Sequence, residues 1–425
     1  MTEAVDQIKK SLQKRYRQES KFITYGKYAI ISAVIFLAIF LSTIVIRGHK
    51  AFVTHKINLE IDFSESAIIR NSILSENFYK ITNEDLIEQI GYSSLIRESL
   101  RKKFIQSRSK NELSAIYRLV GDIADYRLQK MLMLDPSLLG KSVNVWLEVS
   151  SPVDIFLKYG ESSFDIQEQS RIMALVSTGE IKSFFNSGFF TETDSREPES
   201  AGIAASLKGS LLVMIIFLFF AFPVGVMSAF YLEEFAPKGK ITDIIEVSIN
   251  NLAAVPSIIY GLLGLTVYLQ VMHLPRSSAL VGGMTLSMLV LPIIIIATRN
   301  TIRSIPQSIK DGAMALGATK MQIVLHHLFP LSIPGIMTGT ILSIFRALGE
   351  TAPLLMIGMV AFIADIPQSF QDPTTVLPVQ IFLWSDSPEI GFAEKTSAAI
   401  MVLLGFLITF NLIAVIIRKK FERRW

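Results

Sequence analysis

The chain has 425 residues, half of them hydrophobic and only 18% charged, with a formal net charge of +4 and a mean hydropathy of +0.44. That balance leaves too little polar surface for a soluble globule of this length and excludes a disordered chain. Cysteine is absent, which excludes disulfides, Cys-ligated zinc and thiol catalysis.

The apolar residues are clumped. The first run, Tyr28 to Ile46, carries no charge and is just long enough to cross a bilayer as helix. Ahead of it Lys9, Lys10, Lys14, Arg15, Arg17, Lys21 and Lys27 outnumber Glu3, Asp6 and Glu19, which places residues 1–27 in the cytoplasm. A cleaved signal peptide is the competing reading, but the run is long and Thr43 to Arg47 lacks a small-x-small cleavage pattern.

Residues 47–202 are expected to form a domain inserted outside the membrane. Between 50 and 200 there are 22 acids and 18 bases, a block too long for its charges to set orientation and of the size of a small domain. Ala51–Phe63 partly alternates and reads as a strand, as do VNVWLEV and VDIFLKY within Val143–Tyr159, on either side of Ser150-Ser151-Pro152. Residues 93–134 read as helix, with Leu95, Ile96, Leu100, Phe104 and Ile105 at near-helical spacing, and Glu168–Phe185 as another. No clustered His/carboxylate site, nucleophile elbow or phosphate loop occurs in the insert. A docking or packing module is the reading, with a catalytic or sensor role as the alternative.

Five further apolar runs follow: Leu207–Tyr231, Leu252–Met272, Ala279–Thr298, Ile333–Met359 and Ala398–Ile417. Six spans return the C-terminus to the cytoplasm, in agreement with Arg418, Lys419, Lys420, Arg423 and Arg424 in the basic tail 418–425. Segments 232–250 and 299–332 then lie inside. The second holds Arg299, Arg303, Lys310 and Lys320 against Asp311 alone. Arg47 and Lys50 run mildly against the rule. Pro223, Pro256 and Pro292 fall within spans and are candidate kinks. His326 and His327 are the only adjacent histidines, and neighbours on a helix point about 100° apart, so no metal pair is expected.

The loop after the fourth span carries a helix start at Pro306. Small residues follow (Gly312, Ala313, Ala315, Gly317, Ala318), then an amphipathic stretch from Met321 to Phe329. Such a helix suits docking into a groove of another protein; an ordinary interfacial loop is the alternative. The stretch Asp311-Gly312-Ala313-x3-Gly317, nine residues, then His327-Leu328-Phe329-Pro330 resembles the coupling-helix motif of ABC importer permeases (Glu-Ala-Ala-x3-Gly, nine residues, Ile-x-Leu-Pro). It departs at Asp311, Gly312, His327 and Phe329. Tyr231-Leu-Glu-Glu-Phe-Ala-Pro237, Asn251–Gly264, Arg346-Ala-Leu-Gly-Glu-Thr-Ala-Pro353 and Leu377-Pro-Val-Gln-Ile381 look like the phosphate-specific PstA-type permease family. The resemblance covers roughly 205–420 and the first span; the insert is not part of the family's usual core.

The resemblance implies an all-α polytopic membrane protein of the type I ABC importer permease fold. It has six transmembrane helices, a mixed α/β periplasmic domain between the first and second, and a five-helix core at 203–417 with a coupling helix at about 306–329. It implies a PstC-type second permease, a PstB-type cytoplasmic ATPase dimer on Asp311, Gly312, Ala313, Leu316, Gly317 and Ala318, a PstS-type periplasmic phosphate-binding protein, and inorganic phosphate as cargo in an inner (plasma) membrane. No Gly-x4-Gly-Lys-Ser/Thr loop occurs, so ATP hydrolysis is assigned to another chain. No catalytic residue, cofactor, metal or nucleic-acid partner is expected.

Arg346 and Glu350 are the only charges between Ile333 and Met359. An ionisable residue at membrane depth costs at least ~2.5 kcal/mol on insertion scales and usually faces the protein interior or a water-filled path. Continued as helix, the run puts Arg346 near mid-membrane and Glu350 on the same face one turn on. A self-neutralising structural pair is one reading. The other is that Arg346 offers its planar fork to a phosphate while Glu350 holds it; the resemblance favours this, with Thr351 beside them. Arg299 is either a second anion contact or an interfacial anchor. Other oxyanions, a membrane-anchored sensor and a proton-coupled carrier are the competing functions.

Overall fold

The structure, a computed structural model, describes residues 2–64, 66–68, 87, 89–104, 110–161, 163–359 and 362–421. Ile105, Arg423 and Arg424 of the sequence reading lie outside the described residues.

Helix α1 runs unbroken from Thr2 to Gly48, far beyond the apolar run. At its end a side chain on Gly48 would meet the Ala398 nitrogen at 2.8 Å, so the missing Cβ lets α1 close on the last helix. A single 3-10 turn leads into β1 (Val53–Asp62).

The segment that follows is a three-stranded antiparallel sheet with helices against it. β1 is central, flanked by β2 (Ser142–Glu148) and β3 (Ile181–Phe185). Ile57 faces Leu147 on one side and Ile181 on the other, and Leu59 faces Val145. This register puts the alternate residues Ile57, Leu59 and Ile61 on one buried face. Helices α2 (Tyr92–Lys103), α3 (Lys110–Tyr117), α4 (Ala124–Leu134), α5 (Ser151–Tyr159) and α6 (Ile166–Ser177) contribute Leu95, Leu100, Ile116, Leu128, Leu132, Val153 and Ile172 to the same core.

Three expectations for this segment are corrected. VDIFLKY is helix α5, not strand: Ser150 and Pro152 open it, Val153, Phe156 and Leu157 recur at helical spacing toward the core, and Gly160 at φ +74° ends it. Glu168–Phe185 is not one helix. An Asp165–Glu168 capping box starts α6, the helix stops at Ser177, Gly179 turns the chain at φ +77°, and β3 follows. The expected helix across 93–134 is α2, α3 and α4.

The apolar remainder is helical. Long helices are α7 (Ala204–Phe230, extended by a π-helical turn Tyr231–Phe235), α10 (Ala279–Ser304), α12 (Lys320–Gly349) and α15 (Ile390–Phe421). Between α7 and α10 lie α8 (Lys240–Ala253) and α9 (Ser257–Val271), which meet at a 102° bend. Among the described residues five helices are long and apolar enough to cross a membrane, or six if the bent pair is one span. The expected third span, 252–272, thus misses α8, whose Ile241, Ile244, Ile245 and Val247 are exposed but are broken up in sequence by Lys240, Asp243 and Glu246. Pro256 caps α9 at the bend. Pro223 and Pro292 sit inside α7 and α10.

The expected fifth span, Ile333–Met359, is also corrected. α12 starts earlier, at a Thr319–Gln322 capping box, and passes a π-helical turn at Val324–Leu328 just before Pro330, whose missing N–H interrupts an ordinary helical ladder. It ends at Gly349, with Glu350 already extended. The stretch Met321–Phe329 therefore belongs to this helix. The coupling helix expected at about 306–329 is only α11 (Gln307–Ala315). α10 and α12 touch closely, since a Cβ on Gly335 would stand 2.1 Å from Thr301 Oγ1 and one on Gly339 2.4 Å from Ala297 Cβ. Short helices α13 (Ala352–Met356) and α14 (Leu377–Ser385) lie in the chain between α12 and α15.

Candidate translocation and coupling sites

Arg346 lies in the last turn of α12, not in mid-helix. Taking Phe329 as the reference, it stands about 26 Å along the axis, toward the far end of the span. Its side chain is 38% exposed, and Nε is 3.7 Å from Glu350 Oε1. That is an ion pair but too long for a hydrogen bond. Among the described residues no hydrogen bond occupies the guanidinium, so its fork of donors is available. Glu350 and Thr351 form the joint between α12 and α13; the Thr351 carbonyl accepts from the backbone N–H groups of Leu354 and Leu355. The joint is held by α9: a Cβ on Gly261 would meet Pro353 Cα at 2.7 Å, and Pro353, Leu354 and Ile357 are buried. Arg346 and Glu350 pair, as their spacing predicts, but across the end of α12 and not along one helix face, with Thr351 next in the chain.

Arg299 is elsewhere, in the last two turns of α10 and only 6% exposed. Its Nη2 donates to Glu246 Oε2 at 2.8 Å and its Nε to Glu233 Oε2 at 3.3 Å. Arg303 binds the same two carboxylates, at 3.0 Å to Glu233 and 3.4 Å to Glu246. The Arg299 fork is thus committed within the protein. Glu233, Glu246 and Arg303 were not singled out by sequence. The available signal was the pair of acids in YLEEF next to a span end, facing a loop rich in Arg and Lys.

On α11, Pro306 caps the start and a Schellman motif closes the end: Ala318 N–H donates to Ala313 O, Gly317 N–H to Met314 O, and Gly317 takes φ +83°. Asp311, Gly312 and Gly317 are exposed, Leu316 is 91% exposed, Ala313 is buried and Ala318 packs on the membrane core. Asp311 accepts from Gln307 Nε2 at 3.1 Å. An outward leucine beside two glycines makes a small apolar platform.

A third cluster, unexpected from sequence, joins the insert to the head of α15. Lys158 Nζ lies 2.6 Å from Asp154 Oδ2 and 2.7 Å from Glu394 Oε1, with the lysine and glutamate side chains 5% and 8% exposed. His55 Nδ1 is 2.8 Å from Asp154 Oδ1, Tyr159 Oη donates to Glu394 at 3.2 Å, and Lys395 donates to Ala201 O. Burial pushes the Asp154 carboxyl up, but His55 and Lys158 outweigh it and hold it below the usual carboxylate range. Among the described residues no three His, Asp or Glu side chains gather to hold a metal ion.

Beside this cluster a cleft of about 1010 Å³ is lined by Asp122, Glu197, Glu199 and Glu389 among others. Burial pushes Glu199 up to about 7, with the like charge of Glu197 adding to it. A carboxyl that ionises less readily folded than unfolded stabilises the fold below the unfolded value near 4.5 and loses that contribution as pH rises to about 7. Glu199→Gln is therefore expected to raise stability at pH 8 by about 1–2 kcal/mol and leave it nearly unchanged at pH 4.5, read as thermal unfolding of the purified protein at the two pH values.

Residues 221–425 match the family described as binding-protein-dependent transport system inner membrane component, and residues 9–168 match a domain of unknown function (DUF3333). The phosphate transport system permease protein PstA 1 of Mycobacterium tuberculosis (strain CDC 1551 / Oshkosh) is 30% identical over 230 residues, 54% of this chain and 74% of its own length. The PstA protein of Yersinia pestis is 30% identical over 234 residues, 54% of this chain and 77% of its own. The chain belongs to the binding-protein-dependent ABC transporter permease family. The probable ABC transporter permease protein YqgI of Bacillus subtilis (strain 168) is 33% identical over 168 residues, 39% of this chain, and the match spans about half (56%) of YqgI. A solved structure of the MetNI methionine ABC transporter aligns at 17% identity with TM-score 0.42, covering 52% of this chain and 96% of its own; at that score the likeness carries no weight. Members of the family are transport components rather than enzymes, and this permease, with several long apolar helices, is a multi-pass inner-membrane protein.

Proposed function

We propose that this permease is one transmembrane subunit of an ATP-driven importer of inorganic phosphate. The bent pair α8–α9 counts as one span, giving six. Both termini are cytoplasmic, and the insert at 47–202 is periplasmic. The core at 203–417 forms half of the path, beside a PstC-type permease. A PstB-type ATPase dimer sits on α11 through Asp311, Gly312, Ala313, Leu316, Gly317 and Ala318, and a PstS-type binding protein delivers phosphate from outside.

The observation that carries the reading is Arg346. A guanidinium whose donors make no hydrogen bond among the described residues, at the far end of a membrane helix, is matched to an oxyanion that needs two parallel N–H bonds. Glu350, 3.7 Å away, limits how tightly the anion is held. Arg346, Glu350 and Thr351 are the substrate contacts, and Arg299, already paired with two carboxylates, serves as the interfacial anchor.

The mechanism needs no covalent step in this chain. Nucleotide-driven motion of the ATPase moves α11, the movement reaches α10 and α12 on either side of it, and Arg346 is exposed first to one side and then to the other. The test is uptake of radiolabelled phosphate by the complete complex in proteoliposomes, with sulfate and molybdate as competitors. Uptake that phosphate alone competes supports the reading; uptake suppressed equally by sulfate or molybdate assigns the cargo to another oxyanion.

A further inference from the structure

The cytoplasmic ends of α7, α8, α10 and α11 are tied by charge. The π-helical turn after α7 carries two adjacent acids that face different neighbours. Glu233 meets Arg299 and Arg303 of α10, and Glu246 of α8 meets the same two arginines. Glu234 instead meets Lys310 of α11, with Lys310 Nζ 2.5 Å from Glu234 Oε1 and the two side chains only 14% and 16% exposed.

This arrangement is asymmetric in a useful way. α11 is joined covalently to α10 through Ile305 and Pro306 alone. On its outward face Asp311, Gly312, Met314 and Leu316 are exposed, and among the described residues a Cβ on Gly312 would find no atom within 4 Å. Lys310 is its charged tether to a second span. A half-buried pair of this kind feels a lower dielectric than a surface pair and is costly to separate. A push on α11 is therefore delivered to α7 through Glu234, and from the adjoining Glu233 to α10 and, through the shared arginines, to α8.

We infer that Lys310 and Glu234 are positioning residues for transport, the link by which displacement of α11 is passed to the membrane helices. This rests on the reading above that a separate ATPase acts at α11. The test uses the complete complex in proteoliposomes with Lys310→Glu, Glu234→Lys and the exchanged pair Lys310→Glu/Glu234→Lys. Each single reversal is expected to cut uptake by about tenfold or more while ATP hydrolysis continues, and the exchange to bring uptake back to within about threefold of wild type. A purely structural role would lower the amount of assembled complex and leave uptake per complex unchanged. Wild-type uptake in either single variant, or no recovery in the exchange, overturns the inference. If reversal prevents assembly, Lys310→Gln and Glu234→Gln are judged by the same two readouts.

The same variants can be read without any cargo. The chain lacks cysteine, so Gly349→Cys at the end of α12 gives one labelling site. Its maleimide reactivity is expected to change with nucleotide in the wild type and the exchange, and not in the single reversals. A wild-type complex that fails to take up phosphate yet keeps this pattern counts against the cargo and not against the link. Nucleotide-dependent labelling that persists in the single reversals overturns the link.

Discussion

Arg346→Ala should reduce phosphate uptake by the complex at least a hundredfold, a loss of about 3 kcal/mol or more, while the permease still co-purifies with its ATPase. The magnitude follows from what is removed. On the proposed reading the fork supplies paired charge-assisted donors to an anion that must shed water to enter, and nothing else in the α12–α13 joint carries positive charge. Arg346→Lys should recover little, because an ammonium offers a point charge in place of a planar fork. Glu350→Gln is the informative companion. Removing the carboxylate leaves the guanidinium uncompensated, so phosphate should bind more tightly and leave more slowly, lowering turnover while improving apparent affinity. Uptake at the wild-type rate in Arg346→Ala would sink the assignment.

Glu394→Ala should be the most damaging single change outside the membrane core, costing about 3–5 kcal/mol. Lys158 is 5% exposed and would keep only Asp154, already shared with His55. The loss should appear as faster proteolysis and hydrogen exchange across β1, α5 and the head of α15, with the rest of the bundle protected. The pair Lys158→Met/Glu394→Leu should recover most of the stability, since replacing both partners of a buried ion pair by apolar groups is often neutral or better. Equal protection in wild type and Glu394→Ala would show that apolar packing around Phe189, Trp384 and Phe392 holds the junction without help from charge.

Much of the membrane part was legible because uninterrupted apolar runs have one common explanation. The runs at Tyr28, Leu207, Ala279 and Ala398 each became a long helix. The failures share a physical cause. α8 was invisible because Lys240, Asp243 and Glu246 interrupt its hydropathy, although they share the helix with an apolar face. The end of α12 was placed ten residues late because hydropathy does not register a break at Gly349–Glu350 while the following residues stay apolar. In the insert, VDIFLKY satisfies both the strand and the helix period, and only the Ser150–Pro152 start and Gly160 stop decide between them. Arg346 and Glu350 were singled out because charge is rare in such a run. Glu233, Glu246 and Glu394 were not, because their partners lie 53 to 236 residues away and sequence spacing holds no trace of such pairs.

Helix α1 has 47 residues, no proline, and a length of about 70 Å, more than twice the hydrocarbon thickness of a bilayer. The central strand of the sheet begins only five residues after it ends. On the topology proposed above, a tilt imposed on the basic end of this rod would reach the β-sheet on the other side of the bilayer through the single 3-10 turn at His49–Phe52.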